Sequence, residues 1–373
     1  MNRALEVVIV GGGPAGAAAA ISLARGGAAV TLIEASPPGE GPRLGEALAA
    51  EVRRPLEQLD LWDRFQRTGP RPAHAIRSAW GSPALHEHNS LYNPYGPGWS
   101  VDRSRFDAMI LAAAVDRGVR LLRPARVDAV ARRPGGGFAI RGEHEGRPLL
   151  LEAEYIVDAT GRRSTLSRKL GRRSVAHDRL VGVVRCLDKE PGARIEPVLL
   201  IEPVERGWWY SAPSPDGRLV AVLMTDVDLL PRRAGGADAL WDAQRRAAPH
   251  TDRRIGAATP IAETKVRPAH FRALLAPAGD GLVAVGDAAA AIDPLSGRGV
   301  LHALSSGVDA AEAILRDHEG DAGALARHGE RIAQRFARCL DLRARYYGME
   351  TRWPRATFWQ RRRASAGAAA VRA

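Results

Sequence analysis

The sequence predicts an α/β fold with one discontinuous domain on a parallel sheet, a second domain on an antiparallel sheet, and helices at the C-terminal end. Three segments predict the parallel sheet: residues 7–36 (VVIVGGGPAGAAAAISLARGGAAVTLIEAS), 155–164 (YIVDATGRRS) and 281–299 (GLVAVGDAAAAIDPLSGRG). Each opens on a short apolar run, long enough for a buried strand, and passes into small residues. Between the second and third lie four further strand-like runs, VGVVRCLD, EPVLLIEP, GWWYSAP and LVAVLMTD. Close succession of such runs suits an antiparallel sheet.

In the first segment, Val7 to Val10 form the strand, and Gly11, Gly13 and Gly16 follow in G-x-G-x-x-G spacing. The first glycine allows a tight turn. The second lets backbone approach a pyrophosphate, and the third allows a helix to pack closely on the strand. The helix through Ala24 aims its N–H groups and positive dipole end at the phosphates, with Ala15 in its first turn. A second strand, Ala29 to Ile33, ends at Glu34, placed to accept hydrogen bonds from adenosine ribose. This unit reads as a Rossmann-like adenine-dinucleotide site.

The other two segments select FAD over NAD. Tyr155 to Val157 lead into Asp158-Ala-Thr-Gly161, with small residues where backbone must approach a cofactor. Leu282 to Val285 end in Gly286-Asp287, an acid at the C-terminal end of a parallel strand, where such sheets place ligands. Asp287 is read as an acceptor for ribityl hydroxyls, with a plain helix cap as the alternative. Pro294, Gly297 and Gly299 form a tight loop into a helix near Val300. That helix start would stabilise negative charge on a reduced flavin.

Residues 1–70, 101–178 and 265–320 are assigned to the FAD-binding domain, and 71–100 with 179–264 to the substrate domain. Residues 321–373 form a C-terminal helical segment and basic tail. The stretch HAIRSAWGS alternates like a half-buried strand, and VDRSRFDAMILAAAVDRGV reads as an amphipathic helix. Helices are also expected over 236–248, 300–317 and 321–347, and GGG at 135–137 as a hairpin turn.

The 373-residue chain carries a net charge of +12, almost all of it arginine. Without zinc-finger, RNP or helix-turn-helix patterns, that charge is no argument for nucleic acid. The six arginines of 351–373, with no acid among them, read as a solvated tail; docking of an acidic partner is the alternative. No apolar stretch is long enough to span a bilayer. Only Cys186 and Cys339 occur, so disulfides and zinc are not expected and a cytoplasmic setting is.

The G-x-G-x-x-G…E, DATG and GD…DP motifs, in this order, resemble the FAD-dependent monooxygenases of the aromatic-hydroxylase superfamily over nearly the whole chain. The resemblance implies FAD contacts for Arg43, in GPRLGEAL, and Arg103, in VDRSRFD; arginine suits a pyrophosphate by bidentate geometry. LGEAL, GWWYSAP and DPLSGRG resemble the tryptophan-halogenase branch. GWWYSAP departs from that branch's W-x-W-x-I-P at Tyr210 and Ala212, and PAHAIRSAW holds no lysine where the branch has its catalytic one. What remains resembles the halogenase-like flavoproteins that hydroxylate tryptophan, including those that mature tryptophylquinone enzymes.

That resemblance implies oxygen transfer from a flavin C4a-hydroperoxide, formed from O₂, to an electron-rich ring. The substrate would be an indole or tryptophan, free or within a peptide or protein. There is no second G-x-G-x-x-G, so the electrons come from transiently docked NAD(P)H or a partner reductase. His74 is a candidate base or hydrogen-bond donor, and Glu46 either faces the flavin or pairs with Arg43. His302 is a further histidine beside the flavin loop, while His86 and His88 read as surface residues. Trp208 and Tyr210 share one strand face and are candidates for the substrate pocket; Trp209 takes the other face. Burial in the domain core is the competing reading. Halogenation, a geranylgeranyl-reductase-like alkene reduction and a non-catalytic nucleotide-binding interaction module remain the alternative functions.

Overall fold

The computed structural model describes residues 5–38, 45–189 and 195–370. The first unit is β1 (Glu6–Val10), α1 (Pro14–Arg25) and β2 (Ala29–Ile33). The chain then forms β3 (Ala75–Ser78), β4 (His86–Asn89) and α2 (Arg103–Val115), and returns with β5 (Tyr155–Asp158). Residues 180–268 supply β6 (Leu180–Asp188), β7 (Val198–Val204), β8 (Gly207–Pro213), β9 (Leu219–Asp226) and β10 (Lys265–Pro268). The third unit is β11 (Leu282–Ala284), followed by α3 (Gly299–His318), α4 (Ala324–Met349) and α5 (Thr357–Ala370).

The three dinucleotide segments meet in one parallel sheet, ordered β11-β5-β1-β2 and continued by Arg120–Leu122. Register brings Val10 beside Asp158 and Asp158 beside Ala284, so all three strand ends open at one edge. The apolar strands pack on helices on one face and on a three-stranded antiparallel sheet, residues 125–153, on the other; α1 lies on α3 so closely that a Cβ at Gly307 would stand 2.3 Å from the Ala15 carbonyl oxygen. The second sheet runs β6-β9-β8-β7-β3-β4, with β10 on the outer side of β6. Its strands are antiparallel except for β7 beside β3. Trp209 faces one layer with Trp241 and Leu223, and Trp208 faces the other with Val222 and Met224, as period-two alternation requires.

The C-terminal segment departs from the solvated tail expected of its composition. Arg362 is 1% exposed and donates to both carboxylate oxygens of Asp226, at 2.8 and 3.2 Å. Arg361 bridges Asp226 and Asp228, and Arg352 grips Glu350 and the Ala79 carbonyl. Phe358 and Trp359 are fully buried against Trp208 and Tyr347. The acids that neutralise Arg361 and Arg362 lie more than a hundred residues earlier, which local composition cannot show.

His328 on α4 is buried, and neither ring nitrogen has a hydrogen-bond partner among the described residues. Burial, with Arg331 beside it, pushes this imidazole down to about 4. Between that value and the unfolded value of about 6.5, the unfolded chain takes up a proton the folded chain refuses. Stability present above pH 6.5 is therefore lost as pH falls through about 4. Urea midpoints measured across that window should drop for the wild type and stay flatter for His328→Leu.

Candidate functional site

A cavity of about 930 Å³ lies between the open edge of the parallel sheet and the inner face of the second sheet. One half is backbone. Gly11 has φ of +112°, and a Cβ there would stand 2.2 Å from the Ala159 carbonyl oxygen; at Gly16 it would stand 1.9 Å from the Gly11 oxygen. Both glycines are thus fixed by close approach of protein backbone. Gly13 differs: its φ of −72° suits any residue, and a Cβ would meet nothing within 4 Å. The space beside Gly13 belongs to the cavity.

Two helices begin there without a side-chain cap, α1 behind Gly13 and α3 behind Arg298. Their first N–H groups have no internal partner, and helix starts of this kind bind anions. Glu34 accepts from Gly12 N at 2.6 Å and Ser36 N at 2.7 Å, keeping further lone pairs for a diol. Gly161, Gly297 and Gly299 each leave open space where a Cβ would stand. An uncapped helix start, an open glycine and a carboxylate beyond the second strand fit the pyrophosphate and ribose of FAD. Bound there, FAD would supply the redox chemistry.

The predicted residues divide into those that reach the cavity and those that do not. Gly13, Ala15, Glu46, Arg103, Gly161, Asp287, Pro294, Gly297, Gly299, Trp208 and Tyr210 all line it. Asp287 also pairs with Arg162 at 3.2 Å. Gly286 turns at φ +54° below the lining, where its N–H donates to Ser306 Oγ at 2.7 Å. Asp158 is fully buried: it accepts from Thr160 Oγ1 at 2.6 Å and Ser167 N at 2.8 Å, and so organises the turn from beneath. Arg43 lies outside the described residues.

His74 departs from its expected place: it is exposed in the break between the strand Arg71–Ala73 and β3, and it is not among the lining residues, although Ala73 and Ala75 on either side of it are. His88, read as a surface residue, lines the cavity rim. His302 is outside the lining, with its Nε2 unpartnered among the described residues and its pKa lowered by burial. Glu46 pairs with Arg103, which also grips Asp107 through two contacts of 3.0 Å. Burial opposes the Arg103 charge, but these two carboxylates outweigh it and hold the guanidinium charged.

The other half of the cavity is the sheet face: Val184, Ile201, Trp208, Tyr210, Val222 and Met224. Tyr210 OH accepts from Ala47 N at 3.3 Å, and burial, with Glu46 nearby, keeps the phenol protonated. Trp208 donates from Nε1 to Tyr347 OH at 3.0 Å, and Tyr347 OH donates to Asp293 Oδ2 at 3.1 Å. Asp293 also receives Arg343 Nε at 2.9 Å, while its Oδ1 caps Leu295 N at 3.0 Å. A buried polar chain therefore ties the sheet wall, the 293–299 loop and α4 together. Tyr347 and Arg343 carried no signal in the sequence beyond their place on an amphipathic helix. Tyr347→Phe should cost about 1–3 kcal/mol in denaturant unfolding, because it leaves the buried Trp208 N–H without its acceptor.

The sheet, the uncapped helix starts and the adjoining apolar wall define a dinucleotide-dependent oxidoreductase. The sequence profile of the FAD binding domain matches residues 4–331, and the chain belongs to that family. It is 30% identical to LodB of Marinomonas mediterranea, which bears the name of an FAD-dependent oxidoreductase, over 96% of this chain and 97% of LodB. The flavin-dependent halogenase CmlS shares the fold, with a TM-score of 0.87 and 24% identity over 97% of this chain and 68% of CmlS. The peptidyl tryptophan dihydroxylase QhpG, essential for tryptophylquinone cofactor biogenesis, has a TM-score of 0.77 and 28% identity, over 96% of this chain and 79% of QhpG. The protein is an FAD-dependent oxidoreductase of the halogenase and hydroxylase group. No helix among the described residues is long and apolar enough to cross a membrane.

Proposed function

We propose that this protein is a monooxygenase that hydroxylates an electron-rich aromatic ring, an indole of tryptophan held in a peptide or protein. The observation that carries this reading is the lining of the cavity: an apolar wall faces the flavin cradle, and no lysine is among the described lining residues. Lys265, on β10, is outside that lining, and Lys169 and Lys189 donate to the Asp128 and Arg254 carbonyls. The similarity to QhpG supports the substrate class.

FAD, when bound and reduced, supplies two electrons for the activation of O₂. The chain binds and dries the ring: Val184, Ile201, Val222 and Met224 contribute apolar contact, while Trp208 and Tyr210 present aromatic faces. The Tyr210 hydroxyl, having accepted from Ala47 N, keeps its own proton to donate toward the cavity. Overall, a ring C–H, O₂, two electrons and two protons give a ring C–OH and water. NAD(P)H or a partner reductase supplies the electrons. The free Cys186 and Cys339 accord with a cytoplasmic setting.

The test is aerobic turnover with a chemical reductant and tryptophan-containing peptides, in ¹⁸O₂ and with chloride and bromide present. One labelled oxygen on the indole is expected. Halogen on the ring would overturn hydroxylation in favour of halogenation, and saturation of an alkene would favour a reductase.

A further inference from the structure

The permanently charged side chains lining the cavity are Glu46, Glu51, Arg103, Arg162, Arg267, Asp287, Asp293 and Arg298. Seven of them are neutralised. Glu46 pairs with Arg103, Glu51 with Arg298, Arg162 with Asp287, and Asp293 with Arg343 of α4. Arg267 is the exception: among the described residues it has neither an ion pair nor a hydrogen bond from its guanidinium.

Its setting is specific. Arg267 sits on β10 directly opposite Gly182 of β6, and Gly182 also lines the cavity. With no side chain there, nothing on β6 covers the guanidinium at that position. Gly182 is in turn opposite Met224, and Val184 opposite Val222, on β9. At about 4.8 Å between strands, Arg267 stands roughly 10 Å across the sheet from the Val222–Met224 part of the apolar wall. An arginine side chain spans much of that distance. It presents a planar fork suited to carboxylate at the edge of an otherwise apolar and aromatic wall.

We propose that Arg267 is a specificity-determining residue that binds an anionic group, a carboxylate, carried by the aromatic substrate on a short tether. The inference rests on the reading of this cavity as an aromatic-substrate site. It adds that the preferred indole is acidic, through a nearby carboxylate.

Isothermal titration of the oxidised, FAD-loaded protein tests this without turnover, using indole-3-propionate, tryptamine and neutral 3-methylindole as probes. The wild type should bind the propionate about tenfold more tightly than 3-methylindole, and tryptamine more weakly than either. Arg267→Gln should remove the propionate advantage while 3-methylindole binding persists. Arg267→Glu should invert the order of propionate and tryptamine. The residue is exposed on an edge strand, and unchanged melting of both variants checks the fold. Equal binding of the three probes by wild type, or an order untouched by Arg267→Glu, would overturn the role of Arg267 and leave the aromatic site standing. Failure of every probe to bind would overturn both. Titration of NADPH forms the last arm: if Arg267→Gln weakens NADPH and leaves the indoles unchanged, the arginine serves the electron donor and the proposal is wrong.

Discussion

Replacing Gly13 by alanine or valine should leave a folded apoprotein that has lost its hold on FAD. The backbone at Gly13 is in a conformation any residue adopts, and a Cβ there meets no protein atom within 4 Å. Only a bound group can object to it. Loss of affinity should be at least about tenfold for alanine and about a hundredfold for valine, since a methyl group displaces the pyrophosphate from the N–H groups of α1. Gly16→Ala should behave differently, because its Cβ would lie 1.9 Å from the Gly11 oxygen and strain the fold itself. Flavin titration together with melting of the apo forms separates the two cases. Undiminished FAD binding by Gly13→Val would mean that the cradle is misassigned.

Asp226→Ala should be among the most destabilising single substitutions. It withdraws the carboxylate that both Arg361 and Arg362 grip, and Arg362 is 1% exposed beside Phe358 and Tyr347. Removing one partner of a buried pair costs about 3–5 kcal/mol, because the remaining charge stays desolvated. Urea unfolding should show that loss, and Asp226→Asn paired with Arg362→Met should recover much of it. The effect should reach the site as well. Trp359, held by its N–H to the Val204 carbonyl at 2.9 Å, packs through Trp80 onto Trp208 behind the cavity wall.

The parallel sheet was legible because its strands are continuous apolar runs and its turns require glycine. Both are local signals: Gly11 makes its turn at φ +112°, and Gly16 lies against the Gly11 carbonyl. Alternation likewise separated Trp208 and Tyr210 from Trp209 across β8. Other features depend on partners distant in sequence. His74 is a candidate by its place in the chain, but it falls in the break where the chain passes from one sheet to another, and there it is exposed. Arg361 and Arg362 read as solvated because Asp226 and Asp228, at the end of β9, stand 133 to 136 residues earlier in the chain. Asp158 marks its motif correctly, yet its carboxylate serves Thr160 and Ser167. The Trp208–Tyr347–Asp293 chain joins three elements that no spacing connects.

In the proposed reaction, FAD in this cradle activates O₂ for an aromatic ring held against the β8 and β9 wall. Its most direct test is stopped-flow spectroscopy of the FAD-loaded protein, reduced without oxygen and then mixed with O₂, with and without a tryptophan-containing peptide. A transient absorbing species is expected before oxidised flavin returns, with a decay that changes when the peptide is present. A single-step return of oxidised flavin, identical with and without the peptide, would contradict it.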